Sequence, residues 1–422
     1  MLTEIKSRLL CDVSPGTPMG KAFRRFWLPV MRSQRLEAGG FAVKFTVLCE
    51  DFVAFKARNG EVAVFDEKCP HRGCSLELAH ARDDSLVCFF HGWKFHVSGK
   101  CVETPNEVDP AFPARVPLKS HPAHEAGGVL WVYFGDDPPP PFPDLIFTTL
   151  PEDQVYPRMA ICDFNWLTGL EAVLDPSHVT LLHRDWVGAV PNQDAKPSPD
   201  IITMSANAAP VIDFEETDYG FRYCANRTMP DGQTYVRVSE YVAPCGVFIA
   251  TTEADRKFMI ASVPIDNHRS IQWYFWYSPD RPMPAHVRAF ARGGTDADDD
   301  NFYHSLKGLP FYGQDRRAIR AGKSTTGFYD IMFEDFVAGE SQGAWPDRSK
   351  EFLGGADMAI MRARRYLLAH LPEGGEPTLG HRPGVNYKAL QALAVTVPGD
   401  ADWKALADEA TAARAARLVG SS

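Results

Sequence analysis

The 422-residue chain is long enough for two or three compact domains, and 45% hydrophobic with 23% charged residues is the balance of a folded globular protein. Its 44 basic and 54 acidic residues give a net charge of −10, which argues against a nonspecific grip on nucleic acid through clustered Lys and Arg. The opening stretch carries acidic Glu4 and no signal-peptide core, and no run approaches the ~18–20 apolar residues that span a bilayer, so a cytoplasmic protein is expected. In that setting the nine cysteines read as reduced thiols or metal ligands, not as a disulfide framework.

Residues 1–40 read as an N-terminal helical segment. From 41 to 65, "FAVKFTVLCEDFVAFKARNGEVAVF" alternates short apolar, β-branched runs around the turn signal "RNGE". "LVCFFHGWKFHVSGKCV" repeats the pattern and "GGVLWVYFG" closes it, which defines a β-rich domain over 41–137. "DDPPPPFPD" follows, and its four consecutive prolines can neither donate to a sheet nor continue a helix, so a linker is placed at 138–144. The second domain, 145–400, opens with helical spacing in "FNWLTGLEAVLDPSHVTLLH" and continues with strand-like runs over 209–279, read as an antiparallel sheet. "GGTDADDDN" is read as a solvated acidic loop and not a calcium site. From "DIMFEDFVAGESQGA" the chain is helical again, ending in an Ala-rich tail over 401–422.

Two loops between strand-like runs carry metal-ligand chemistry. Cys69 and His71 are one residue apart, and sixteen residues later Cys88 and His91 are two apart. Two cysteines and two histidines could hold zinc, or a 2Fe-2S cluster with thiolates on one iron and imidazoles on the other. A Cys-x-His pair departs from zinc-finger spacing, whereas two such loops suit one iron facing the cysteines and one facing the histidines. "CPHRG" and "CFFHGW" resemble the ligand loops of Rieske proteins, which implies Cys69, His71, Cys88 and His91 as ligands of a 2Fe-2S cluster. Cys74 is expected to be a buried thiol not paired with Cys101, and His80 and His96 ordinary polar residues.

A one-electron carrier leaves two thirds of the chain unexplained. "DPSHVTLLH" offers His178 and His183, five apart and able to share an ion if the helix is distorted between them. Two histidines and a carboxylate on one side of an ion leave open positions, as in non-haem iron oxygenases. Asp330, Glu334, Asp335 and Glu340 all remain candidates for that carboxylate on chemistry alone, and "DPSH" by itself also allows Asp175 as a helix cap.

The pair preceded by Asp175, with the distant acidic helix ending "ESQG", resembles the catalytic half of Rieske non-haem iron oxygenases. "GTPMGKAFRRFWLPV", "GKCVETPNE" and "ESQGAWPDRSKEFLG" extend the similarity to the phthalate dioxygenase-like branch. The resemblance implies an α+β fold: an N-terminal all-β Rieske domain, then a catalytic domain with an antiparallel β-sheet flanked by helices, of helix-grip type. It implies mononuclear Fe(II) on His178, His183 and Asp335, with Glu334 the alternative third ligand, and Asn165 near the iron. It also implies a head-to-tail homotrimer in which Asp175 bridges a cluster histidine of the neighbour to an iron-ligand histidine. The chain shows no G-x-G-x-x-G after a strand, so a separate NAD(P)H-dependent reductase is expected, of the FMN and plant-type 2Fe-2S kind. The branch acts mostly on aromatic acids, by dihydroxylation, hydroxylation or O-demethylation. Arg222, Arg227 and Arg237 are candidates for a substrate carboxylate, and Phe221, Tyr241, Trp273 and Phe275 for the pocket wall. A pure electron-transfer protein and a zinc hydrolase are the competing classes.

Overall fold

The computed structural model describes residues 2–187, 200, 203–204, 207–292, 300–372, 375–399 and 401–419. Helices α1 (Glu4–Cys11) and α2 (Pro18–Phe23) open the chain, each started by a threonine whose hydroxyl accepts a first-turn N–H. The segment expected to be helical also contains a strand, β1 (Trp27–Arg32). β2 (Val43–Val47), β3 (Glu50–Lys56) and β4 (Val62–Asp66) form one antiparallel sheet with β9 (Ser120–His121). Between them β5 (His80–Arg82), β6 (Ser85–Val87), β7 (Lys94–His96) and β8 (Cys101–Glu103) make a second small sheet. β10 (Ala123–Ala126) and β11 (Val129–Tyr133) complete a third sheet with β1.

The proline-rich stretch is tied down by Trp27. The indole Nε1 donates to the Pro140 carbonyl at 2.9 Å, and Phe142 meets the ring edge-on at 5.6 Å. Beyond it stands the large sheet of the second domain: β12 (Val155–Cys162), β13 (Val211–Thr217), β14 (Gly220–Thr228), β15 (Gln233–Val242), β16 (Gly246–Ile249), β17 (Lys257–Pro264) and β18 (Ser270–Tyr277), in the order β12-β18-β17-β16-β15-β14-β13. A late strand, β19 (Leu393–Pro398), pairs with β15. All of these pairings are antiparallel, as the run of strand-like segments over 209–279 led one to expect.

Helix α3 (Trp166–Leu174) lies across this sheet. Its approach is so close that a Cβ at Gly169 would stand 2.3 Å from Gln272 Nε2 and 2.5 Å from Ser262 Oγ. Ser262 Oγ in turn donates to the Trp166 carbonyl at 2.7 Å. Along β18 the pleat sends alternate rings to opposite faces. Trp273 and Phe275 turn toward the N-terminal domain, where Trp273 Nε1 donates to the Pro29 carbonyl and Phe275 stacks on Phe147 at 4.4 Å and Trp131 at 5.6 Å. The two-residue turn Leu48–Cys49 has φ of 53° and 64°, the form a tight hairpin requires, and its N–H groups pair with the Pro264 and Ile265 carbonyls.

Further helices are α4 (Ala285–Arg292), α5 (Arg316–Arg320), α6 (Ile331–Ser341), α7 (Met358–Ala369) and α8 (Trp403–Val419). α8, expected as a tail, packs on the sheet, with Trp403 Nε1 donating to Asp213 Oδ2 at 2.8 Å. Most of the acidic stretch 293–301 lies outside the described residues. Among the described residues no helix is long and apolar enough to cross a membrane.

A buried ion network locks α3 to its surroundings. Glu171 accepts from Arg348 Nη2 at 3.0 Å and Arg364 Nε at 2.6 Å, while Arg348 also reaches Thr168 Oγ1 and Cys11 Sγ. Removing one partner leaves a buried charge without its counterpart, so Arg348→Ala is expected to lose about 3–5 kcal/mol, read as a fall in thermal midpoint.

Candidate metal centres and active site

The two cysteine–histidine loops share one backbone pattern. In each, the N–H of the glycine four residues on donates to the cysteine carbonyl, Gly73 to Cys69 at 2.9 Å and Gly92 to Cys88 at 3.0 Å. Both glycines have φ of 71°, a left-handed conformation that glycine adopts without penalty. A second bond closes each loop, Cys69 N–H to the Cys74 carbonyl and Cys88 N–H to the Trp93 carbonyl. The cysteines are therefore held inside, 2% exposed, in thiol contact with each other, and burial and that contact push the Cys69 thiol up to about 12. The imidazoles sit further out, with ring centroids of His71 and His91 4.5 Å apart and His71 stacked on Trp93 at 4.4 Å.

The donor set fits a cluster with thiolates on one side and imidazoles on the other. His91 Nδ1 is buried with no hydrogen-bond partner, as a ligand atom would be. Phe89 and Phe90 flank it and are 58% and 50% exposed. Cys74 is half-buried, not buried as expected, because its thiol faces Cys88 at the edge of the loops, and it forms no disulfide with Cys101. His80 is exposed, and His96 accepts from the Ser98 backbone N–H within its own turn.

The second centre is built from two distant segments. α3 ends at Asp175, because Pro176 cannot continue it, and His178 begins a short 3₁₀ turn; the two histidines are not on one distorted α-helix. His183 follows that turn, and α6 delivers the carboxylates. One ligand atom from each of His178, His183 and Asp335 lies within 4.8 Å of the others, and this is the one such group of three or more among the described residues. Asp335 Oδ1 is 3.2 Å from His183 Nε2 and 3.6 Å from His178 Nε2, spacings suited to a shared ion about 2 Å from each. Burial opposes a charge on His183, but Asp335 and Glu334 hold its imidazole up at about 9, so positive charge is favoured where a cation would sit.

The other carboxylates are engaged elsewhere. Asp330 caps α6 through the Met332 and Phe333 N–H groups. Glu340 accepts from Tyr303, Ser305 and the Asp163 N–H. Glu334 Oε2 is 2.7 Å from His183 Nδ1, on the side of the ring away from Asp335. Asp175 Oδ1 accepts from the Ser177 N–H and hydroxyl, and its Oδ2 is 3.7 Å from His178 Nδ1. Burial alone would raise the Asp175 carboxyl; His178 and Ser177 bring it down to about 2.

A cavity of about 160 Å³ opens onto His178, His183 and Asp335. Its walls include Phe258, Tyr274, Trp276 and Phe336, so the pocket-facing residues of β18 are the even-numbered ones. The expectation for Phe221, Tyr241, Trp273 and Phe275 is corrected: all four are buried in the main core. The alternation in "WYFW" could have exposed this choice of face, but not its sign. Asn165 is likewise away from the cavity, because its amide caps α3 through the Leu167 N–H and donates to the Cys11 and Asn267 carbonyls.

Of the three arginines, Arg237 alone lines the cavity. Its Nε donates to the Ala250 carbonyl at 3.3 Å, and no carboxylate pairs with it among the described residues. Arg222 is on the opposite side of the sheet system, paired with Glu215 and Asp408. Arg227 is fully buried and donates to the Pro176 and Asn207 carbonyls, and burial, with the charge of Arg237, lowers it to about 10. Sequence reasoning passed over Arg256, which also faces the cavity, but it is paired with Glu253 and covers the Phe290 ring.

Comparison with known proteins gives a family for each half of the chain. Residues 26–122 match the Rieske [2Fe-2S] domain family, and residues 132–420 match the family described as LigXa C-terminal domain like. The oxygenase subunit of 3-chlorobenzoate-3,4-dioxygenase from Comamonas testosteroni is 31% identical, over 94% of this chain and 95% of that one. The oxygenase subunit of phthalate 4,5-dioxygenase from Pseudomonas putida is 33% identical, over 96% and 94%. Among solved structures, the terminal oxygenase of carbazole 1,9a-dioxygenase from Nocardioides aromaticivorans IC177 has a TM-score of 0.57 at 18% identity, covering 85% of this chain and 95% of that one, a likeness of fold. The chain belongs to the Rieske non-haem iron oxygenases, in the phthalate dioxygenase-like branch. It is an oxygenase component, with a Rieske 2Fe-2S domain and a mononuclear iron domain.

Proposed function

We propose that this oxygenase component acts on a single-ring aromatic carboxylate, with Arg237 binding the carboxylate and His178, His183 and Asp335 holding the iron. The observation that carries the reading is a guanidinium with no carboxylate partner among the described residues, in an aromatic-walled cavity that opens onto the His–His–Asp group. An apolar cavity of ~150 Å³ accommodates benzene, so about 160 Å³ suits one substituted ring. Arg237 would anchor the acid through paired N–H donors, and Tyr274 and Trp276 would hold the ring flat while the apolar wall keeps water out. Iron with open positions, fed electrons by the cluster, supplies the activation of dioxygen for insertion into the ring or a substituent. The position of the bound ring relative to the three ligands decides between dihydroxylation and O-demethylation. A relative at 29% identity is the 5,5'-dehydrodivanillate O-demethylase oxygenase subunit of Sphingobium sp. (strain NBRC 103272 / SYK-6), which keeps demethylation as the second outcome.

Electrons come from a separate NAD(P)H-dependent reductase, and the active unit is a head-to-tail homotrimer. Exposed Leu78, Phe89 and Phe90 beside the cluster loops and exposed Leu181 beside the iron loop support contact between copies at these two places. In that contact Asp175, whose Oδ2 lies 3.7 Å from His178 Nδ1, would accept an N–H from His178 and another from a histidine of the neighbour.

The direct test supplies the metal-loaded protein with a reductase, NADH and a panel of benzoates, methoxybenzoates and phthalates, reading oxygen uptake and product. A ring diol or hydroxylated acid supports the first outcome, a phenol plus formaldehyde the second, and oxygen uptake that no aromatic acid stimulates would overturn the substrate class. Arg237→Gln is expected to raise KM for the acid about 10- to 100-fold, with little change for its uncharged methyl ester. Loaded protein should hold about three irons per chain, two of them in the cluster. His178→Ala should lose the third alone and keep the cluster's visible spectrum, while Cys69→Ser should lose the cluster. Asp175→Asn should retain both metals and slow turnover about 100-fold; near-normal turnover would remove Asp175 from the electron path.

A further inference from the structure

We propose that Glu334 is a positioning residue that orients His183, with Thr326 orienting Glu334 in turn. The inference rests on the reading of His178, His183 and Asp335 as the iron ligands. Glu334 and Asp335 are adjacent on α6, and successive helical residues point about 100° apart, so two neighbouring carboxylates serve different directions. Asp335 faces the cavity. Glu334 faces inward, its side chain fully buried at 0% exposure, with Oε2 at 2.7 Å from Nδ1 of His183, itself 6% exposed.

A carboxylate is an acceptor only, so the imidazole nitrogen it meets must carry the proton. With a cation bound, that sets His183 as the Nδ1–H form and leaves Nε2, 3.2 Å from Asp335 Oδ1, as the nitrogen free to ligate. Without Glu334 either ring nitrogen could hold the proton and the ring could turn. The other oxygen of Glu334 accepts from the Thr326 hydroxyl, which keeps the carboxylate from rotating. The loop that carries Thr326 is clipped to the segment after His183 by a second carboxylate: Asp185 Oδ2 accepts from Ser324 Oγ and the Thr325 N–H, each at 2.6 Å. Gly327 N–H bonds back to Ser324 Oγ at 2.8 Å and tightens the same loop. Histidine, carboxylate, hydroxyl and loop thus form one chain of contacts behind the metal-facing nitrogen, and such partners also raise the basicity of a ligand imidazole.

The test compares full-length, cluster-containing wild type, Glu334→Gln, Thr326→Val and Asp335→Ala, each equilibrated anaerobically with buffered Fe(II), with cluster absorbance and thermal midpoint recorded in parallel. Glu334→Gln keeps the shape and one acceptor oxygen but not the charge. It is expected to weaken Fe(II) binding about 10- to 100-fold with the cluster spectrum and midpoint near wild type, and to shift the visible absorption of Co(II) bound in place of iron. Thr326→Val should weaken binding in the same direction and by less. Wild-type Fe(II) affinity and an unchanged Co(II) spectrum in folded Glu334→Gln overturn the inference, as does an affinity loss that only tracks a lowered midpoint. If Asp335→Ala also retains Fe(II), the ligand reading itself fails, a result distinguishable from loss of the Glu334 role alone.

Discussion

The catalytic half depends on how closely α3 sits on its sheet. Gly169 leaves space for Gln272 and Ser262 that any side chain would take, and the helix is then fastened by Ser262 to the Trp166 carbonyl and by Glu171 to two arginines. Because α3 is seated there, the chain leaves it at Asp175, which lines the cavity. Arg227, buried on the same face of the sheet as Arg237, donates to the Pro176 carbonyl and holds the exit in place. A helix set further from the sheet would carry His178 and His183 away from α6. The position of the metal group is thus a consequence of packing density at one glycine.

The two metal centres solve opposite problems. The cluster loops are short, local and self-sufficient, each built by a cysteine carbonyl bonded to a glycine N–H four residues later. Their soft ligands are buried and their imidazoles lie near the surface, where an electron must enter and leave. The mononuclear centre draws ligands from segments about 150 residues apart, and the acidic residues around it are each held by their own partners, Glu334 by His183, Glu340 by Tyr303 and Asp330 by the Met332 N–H. Among the described residues Arg237 lines the cavity with no carboxylate partner, its Nε donating only to a backbone carbonyl, and a buried charge of this kind is the feature that a charged substrate would complete.

The division of aromatic side chains on β18 serves both halves of the protein. Trp273 and Phe275 fasten the catalytic sheet to the N-terminal domain, and Tyr274 and Trp276 line the cavity on the reverse face. One strand therefore couples domain packing to the pocket wall.

What the sequence alone determined is what short-range rules control. Cys69, His71, Cys88 and His91 could be paired because each set lies within a few residues on one loop, and the strand runs and the proline stretch are read from local periodicity and backbone chemistry. The end of α3 before the histidines was also open to view in "DP", although the helical spacing masked it. Which of four acidic residues faces the histidines, which of three arginines enters the cavity, and which aromatic face of β18 is the pocket were decided by the tertiary structure. A period of two or 3.6 residues defines faces but does not say which face meets which partner. That depends on contacts between segments such as 178–183 and 331–341, and on the burial those contacts impose.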